Sequence, residues 1–259
     1  MADPETVPVP ATTRPAKAFK DPGYGFLDIR WRLPSQCEVC RSGCHSSLCG
    51  DCITRFAAPV PRCLRCGLRL GIPAAACGDC QRSPPPFTRT VCVADYGFPW
   101  DRLITAFKFE DQPSLARGLA PLLAQRLQDD AAGAALPAVQ LVMPIPLSPQ
   151  RLAERGYNQA WELACRVARL RGLPACADLL QRPVATAHQA DLGRTERQAN
   201  LRRAFMVDPR RRATLAGLHV ALVDDVMTTG ATLREAAAVL LRAGAATVQA
   251  WVLVRTPDE

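Results

Sequence analysis

Val220-Ala221-Leu222-Val223-Asp224-Asp225-Val226-Met227-Thr228-Thr229-Gly230-Ala231-Thr232 is the stretch that decides the fold. Its first four residues continue the apolar run from His219 and read as a strand buried on both faces. The strand is expected to end in the carboxylates Asp224 and Asp225. A turn rich in hydroxyls and small residues follows and opens a helix over Thr232 to Arg242. In that helix Leu233, Ala236, Ala237, Leu240 and Leu241 point inward, and Gly244 stops it. Free N–H groups at a helix start make an anion nest, and Gly230 and Ala231 let backbone come close to a ligand. The hydroxyls of Thr228, Thr229 and Thr232 add donors, and the carboxylates can accept from vicinal sugar hydroxyls. The plainer alternative is a strand–turn–helix with an acidic N-cap. Two adjacent acids after four apolar residues and before Thr-Thr-Gly-x-Thr argue against it.

Outward from this run the same grammar repeats. Thr247 to Val254 is a further strand, Thr90 to Tyr96 an earlier one, and Leu141-Val142-Met143 a short buried one that runs into Pro144-Ile145-Pro146-Leu147. Helices are expected over Trp100 to Phe107, Ser114 to Leu127 with Pro121 interrupting or kinking it, and Gln159 to Leu170. Strand, helix and strand with short links predict an α/β fold with a doubly wound, mostly parallel sheet. His219, at a strand start, is expected to be structural.

Of the twelve cysteines, eight stand as Cys-x-x-Cys pairs: Cys37/Cys40, Cys49/Cys52, Cys63/Cys66 and Cys77/Cys80. One tight turn offers two thiolates to an ion, and two turns complete a tetrahedral site, so two zinc sites are expected. An iron–sulfur cluster is the main competitor, and a redox role for a single pair is a weaker one. Gly50 and Gly67 fit the sharp knuckle. Intervals of 8, 10 and 10 residues allow consecutive pairing, as in a double zinc ribbon, or a cross-brace; the ribbon is preferred. Cys44 and His45 read as spare, and Cys92, Cys165 and Cys176 as small buried residues.

The chain has 259 residues and a net charge of +8. Three segments are expected: a flexible arm over 1–34, a cysteine-rich module over 35–84, and an α/β domain over 85–259, with Ser83-Pro84-Pro85-Pro86 as a stiff linker. Met1 to Pro15 lacks the apolar segment of a secretory leader, and no run is long enough for a membrane span. A cytoplasmic protein is therefore expected, where cysteines serve metals better than disulfides. Between Arg182 and Arg212, eight arginines face three acids. That is either a solvated face or a phosphate-binding surface. The only lysines are Lys17, Lys20 and Lys108, so a cationic side chain needed later must be Arg or a protonated His.

The run over 220–232 resembles the signature that binds 5-phosphoribosyl-1-pyrophosphate (PRPP) in type I phosphoribosyltransferases. With the cysteine module in front, Pro144-Ile145-Pro146-Leu147, Arg155-Gly156-Tyr157-Asn158-Gln159, Gln189, Arg197, Asn200 and Ala204-Phe205, the chain is similar to the ComF family from about residue 37 to 254. That resemblance implies that Asp224 and Asp225 bind the ribose hydroxyls. It implies that the turn from Met227 through Thr228, Thr229, Gly230, Ala231 and Thr232 wraps the 5-phosphate, and that Met143 to Leu147, with Pro144, Ile145 and Pro146, takes pyrophosphate. That loop usually contains a non-proline cis peptide. Gln181 to Arg203 would be a mobile hood carrying Arg182, His188, Arg194 and Arg197. Other enzymes of this fold use a hood lysine that is missing here. Arg155 and Arg197 join the carboxylates as expected catalytic residues, while Tyr157 reads as packing.

The expected activity is transfer of phosphoribosyl from PRPP, with Mg²⁺, to an acceptor the sequence does not identify, in a protein linked to competence and DNA uptake. The alternatives are a non-catalytic PRPP-binding regulator and a single-stranded-nucleic-acid-binding protein. Single-stranded DNA or DNA-processing proteins are the expected macromolecular partners. The cysteine module has few aromatic side chains, Phe56 alone lying inside it, so a protein-docking role is favoured for it over DNA contact.

Overall fold

The computed structural model describes residues 35–131, 137–183 and 204–258. The arm over 1–34 and most of the expected hood, including His188, Gln189, Arg194, Arg197 and Asn200, lie outside the described residues. Two knuckles of similar plan come first. In one, Ser35–Gln36 (β1) pairs antiparallel with Gly43–Cys44 (β2), and Gly50–Phe56 (α1) follows with Cys49 as its N-cap. In the other, Arg62 bridges Arg69, and Gly78–Arg82 (α2) follows with Cys77 as its N-cap. Gly67 turns the second knuckle with φ +71°, and a Cβ there would come within 2.9 Å of Thr90 Cγ2. Gly50 has no such role, since it opens α1 in ordinary helical backbone.

The sheet is built from Arg89–Asp95 (β3), Leu141–Pro144 (β4), and the long strands after residue 218. Trp100–Phe109 (α3) and Ala116–Ala131 (α4) separate β3 from β4. The helix α4 continues through Pro121 without interruption. One missing N–H near its start is offset by a buried stripe of Leu119, Leu123 and Leu127. Pro149–Arg155 (α5) and Gln159–Arg171 (α6) follow β4. The Ser148 and Asn158 side chains accept from the first free backbone N–H groups of these two helices. Leu180–Gln181 (β5) and Met206–Val207 (β6) form a small antiparallel pair at the base of the 184–203 excursion. His219–Met227 (β7), Ala231–Arg242 (α7) and Thr247–Arg255 (β8) complete the chain.

All three pairings of this four-stranded sheet are parallel, in the order β3-β8-β7-β4. Alternation along the strands sorts the core into two faces. Ala221, Val223, Trp251 and Leu253 pack with α3, α4 and α6. Val220, Leu222, Ala250 and Val252 pack with α7. This is a doubly wound sheet with helices on both sides, as the sequence predicts. No helix among the described residues is long and apolar enough to cross a membrane.

The cysteine knuckles pack against this sheet, one on each side of the edge strand β3. Cys37, Leu48, Cys52 and Ala57 share the cluster of α3 and α4, while Cys63, Cys66, Cys80 and Phe87 share the cluster of α7. The Trp100 indole N–H donates to Phe56 O at 2.8 Å, and Arg126 donates to Ala57 O at 2.6 Å. Along the outer edge of β3, Thr90 N donates to Leu64 O at 2.9 Å, and Arg62 pairs with Asp95. An exposed edge would invite pairing with another chain, so this cover is also protective. Arg255, 5% exposed at the end of β8, donates to Cys66 O at 3.0 Å and to Met227 O at 3.5 Å.

Arg255→Leu should therefore lower unfolding free energy by about 1–3 kcal/mol, because it leaves the interior Cys66 carbonyl without its donor, while Met227 O keeps the Thr256 N–H. Denaturant titration of the purified protein reads this directly. A change within about 0.5 kcal/mol, the range of ordinary surface substitutions, would show that the joint between knuckle and sheet carries no load.

Candidate functional site

The carboxylates do not end their strand. β7 continues through Asp224 and Asp225 to Met227, and it stays paired with β8 as far as Met227↔Arg255. What ends is the pairing on its other side. β4 stops at Pro144, opposite Val223, and Ile145 N makes the last link to Val223 O at 2.8 Å. Val226 and Met227 could continue the strand because a full β8 partner was available to them. The site thus lies in the crevice where β4 leaves the sheet, at the carboxyl ends of the strands, where ligands bind in doubly wound folds.

Neighbouring strand residues face opposite ways, so the two acids have different surroundings. Asp225 lies on the α3 side, 5% exposed, and its Oδ2 is 2.9 Å from the ammonium of Lys108. That contact is an ion pair without hydrogen-bond alignment. Lys108 is a site residue that sequence reading passes over: α3 extends to Phe109, two residues beyond its expected end, and this turn carries the lysine inward. Its scarcity was the available signal. Asp224 is half-buried. Burial first, and then the adjacent Asp225 carboxylate, raise its pKa well above the usual carboxylate range, with Lys108 opposing. Each acid also accepts from the backbone N–H that follows it, at 2.9 Å in both cases.

Beyond Met227 the turn makes its anion nest. Gly230 has φ +75°, a left-handed conformation that strains any residue with a Cβ, and a Cβ there would also have to displace Met227 Cε, 2.5 Å away. Gly230 is the N-cap of α7 and has no side chain to cap it; Ala231 N makes a long 3.4 Å bond to Thr229 Oγ1, and the other N–H groups of the first turn are left for a ligand. Thr228 and Thr229 are exposed. Met227 is buried, and its carbonyl accepts from Thr256 N at 3.0 Å, so it supports the turn from beneath. Pro144, Ile145 and Pro146 are buried beside the crevice, and Asn158 Nδ2 donates to Ile145 O at 3.0 Å. Among the described residues the cis peptide is Phe98–Pro99, not one in this loop.

The Arg155-to-Gln159 segment clamps this loop to α3. The Tyr157 hydroxyl donates to Phe107 O, and Arg155 donates to Gln159 Oε1 at 3.1 Å while lying 4.9 Å over the Phe109 ring. Tyr157 is therefore more than packing. Arg182 lies over the Phe205 ring at 5.4 Å; burial and then Arg151 lower its pKa, and Asp224 opposes them. His219 bonds Thr247 through its ring, as a structural residue should. Cys92 is buried, which pushes its thiol up to about 11, whereas Cys176 bonds Asp178 and Arg211 and is not a plain apolar residue.

The eight paired cysteines gather into two groups, Cys37/Cys40/Cys49/Cys52 and Cys63/Cys66/Cys77/Cys80, with all four sulfurs of each within 4.8 Å of one another. First pairs with second and third with fourth, the consecutive arrangement of a ribbon. Sγ–Sγ separations of 3.6 Å for Cys40–Cys49 and 3.7 Å for Cys66–Cys77 match the roughly 3.8 Å edge of a tetrahedron with 2.3 Å zinc–sulfur bonds. Backbone N–H groups of Cys49 and Cys77 point at Cys37 and Cys63 sulfur, each at 3.3 Å, as stabilised thiolates require. Cys44 and His45 stay outside the first group.

Two consequences are measurable. Protein purified without chelator should carry close to two zinc ions per chain. Because both groups share clusters with the sheet, stripping the metal should lower the stability of the whole unit. Elemental analysis finding stoichiometric iron, or no metal, would refute this, as would an unchanged melting curve after chelation. For Asp224 the sign follows from its raised pKa. The folded protein holds that proton to higher pH than the unfolded chain, whose carboxyl titrates near about 3.9. Stability therefore falls as pH rises through that window. Asp224→Asn should melt above the wild type at neutral pH, with the gap closing toward about pH 4. A gap that is constant with pH would contradict it.

The family described as Phosphoribosyl transferase domain matches residues 182–259. The chain is 37% identical over 227 residues to the DNA utilization protein YhgH of Salmonella typhi, covering 86% of this chain and 98% of that protein. It is 34% identical over 229 residues to Competence protein F of Haemophilus influenzae, covering 85% and 96%. Competence protein ComFC of Bacillus subtilis matches at 33% over 118 residues, 45% of each chain. With this fold, these cysteine groups and relatives that match over nearly their whole length, the chain belongs to the ComF family, a type I phosphoribosyltransferase fold with cysteine knuckles on its sheet edge.

Proposed function

We propose that this protein binds PRPP in the crevice beyond β4 and transfers its phosphoribosyl group to an acceptor. One observation carries the reading: a carboxylate pair and a helix start with a glycine N-cap stand at the same end of one sheet, joined by the three-residue turn 228–230. Asp224 and Asp225 accept from the ribose 2- and 3-hydroxyls. Thr228, Thr229, Ala231 and Thr232 surround the 5-phosphate, with Gly230 shaping the turn. The loop over Pro144, Ile145 and Pro146 takes pyrophosphate. Arg155, and Arg197 from outside the described residues, serve the same charge. Mg²⁺ is bound with PRPP and neutralises pyrophosphate; the half-buried Asp224 carboxylate suits its oxygen preference. The chain's own part is to hold the ribose still and present fixed donors while C1 becomes oxocarbenium-like.

Two zinc ions fill the cysteine groups in this reading, and residues 35–84 act as a structural module of a cytoplasmic protein. The names of the relatives support a role in competence or in the use of DNA. Taking single-stranded DNA or DNA-processing proteins as partners goes a step beyond those names and is part of this proposal. A second reading, binding without turnover, draws on the absence of lysine from residues 184–203.

Calorimetry on the double variant Asp224→Asn, Asp225→Asn should show loss of most PRPP affinity with the circular-dichroism spectrum retained. Each lost charge-assisted bond costs about 1.5–3 kcal/mol. Unchanged affinity would remove the site. Pyrophosphate release from PRPP across a panel of acceptors separates transfer from binding alone.

A further inference from the structure

After residue 108 the site can draw only on arginine or protonated histidine for pyrophosphate, because no lysine occurs there. The fold supplies one from before the crevice. Lys108 touches Asp225 at 2.9 Å, yet its side chain is 22% exposed where that of Asp225 is 7%. A lysine serving only to neutralise a buried acid has no need of that opening. Its exposed side borders a cavity of about 790 Å³ whose wall includes Arg151, Arg155 and Tyr157, with Asp111 and Glu154 as its acidic members. Glu154 also accepts from Gln150 Nε2 at 2.9 Å. The cavity adjoins the proposed site through two residues of its wall. Lys108 joins it to the carboxylate pair, and Tyr157 precedes the Asn158 that bonds Ile145 O.

The chemistry of an ammonium suits a shared position. It has three donors, and Asp225 takes one direction only. Its placement is also fixed from behind, because the Tyr157 hydroxyl holds Phe107 O one residue earlier and Arg155 lies over Phe109 one residue later. We propose that Lys108 is the pyrophosphate-binding cation of this site, acting with Arg151 and Arg155 across this cavity while it stays paired with Asp225. This rests on the PRPP reading and extends it: the ligand group is a magnesium pyrophosphate or the same group within PRPP. Lys108 thereby stands in for the hood lysine that the sequence lacks.

The test is calorimetry with magnesium pyrophosphate as the probe, on the full chain with its metal. Lys108→Met should bind it roughly 10- to 100-fold more weakly, while Lys108→Arg stays near wild type. The double variant Lys108→Met, Asp225→Asn separates the two roles of the lysine. It should bind pyrophosphate as weakly as Lys108→Met. Recovery of wild-type affinity in the double variant would reduce Lys108 to a counter-ion and overturn the proposal. Unchanged affinity in Lys108→Met would do the same. If Lys108→Met alone fails to fold, the charge-balanced double variant decides by the same two outcomes. A wild type that binds PRPP but not pyrophosphate overturns this inference and leaves the PRPP reading standing. A wild type that binds no PRPP overturns both.

Discussion

Two consecutive carboxylates inside an interior strand, where one of its neighbours leaves it, are the constraint around which this structure is arranged. Close together and partly shielded from water, they repel one another, and neither is well solvated. The fold answers with a single ammonium on the α3 side and an open crevice elsewhere. That answer reaches far. α3 must run to Phe109 to bring Lys108 in, the Tyr157 hydroxyl must hold the end of α3, and β4 must leave the sheet at Pro144 so that water or a ligand can reach the acids. The raised pKa of Asp224 is what remains uncompensated. A binding site that is poorly satisfied when empty has free energy to gain on meeting hydroxyls and a metal-bound polyphosphate.

Much of this was legible in the sequence because its signals are local. Period-two and helical spacing place β3, α3, β7, α7 and β8, and the Cys-x-x-Cys spacing declares the ion sites, since four thiolates in two tight turns have few other uses. The Thr-Thr-Gly-x-Thr turn declares its nest for the same reason. What escaped was set by long-range partners. β7 extends past its carboxylates because β8 is there to pair with them, and no local rule reports that. Lys108 is an unremarkable residue in an amphipathic helix until the Asp225 side chain is seen across from it. The opposite facing of Asp224 and Asp225 follows from strand geometry alone, but only once both are known to be inside the strand.

The cysteine knuckles show the same contrast. Their ligands are readable one residue at a time, yet their position on both sides of β3 is not. A proline run between two compositionally distinct segments reads as a boundary, and Phe87 just beyond it is fully buried between them. The ions would then organise the outer edge of the sheet, where Leu64 and Arg65 take up the hydrogen bonds of Thr90. That placement would give a bound metal a mechanical role, one that needs no contact between the knuckles and a nucleic acid.

The strand β3 has one sheet neighbour, β8, and the two are joined by hydrogen bonds between residues 160 positions apart, as at Thr88 and Val248. On a ribosome adding about 5–20 residues per second, β3 would emerge roughly 8–30 s before its partner exists. An apolar strand with an open edge is at risk of aggregation during such a wait. The knuckle that precedes it can close on its ion early, from neighbouring residues alone, and Leu64 is then in place to occupy one side of β3. The metal-bound segment would act in that interval as a built-in chaperone for the first strand, holding it until the last one arrives.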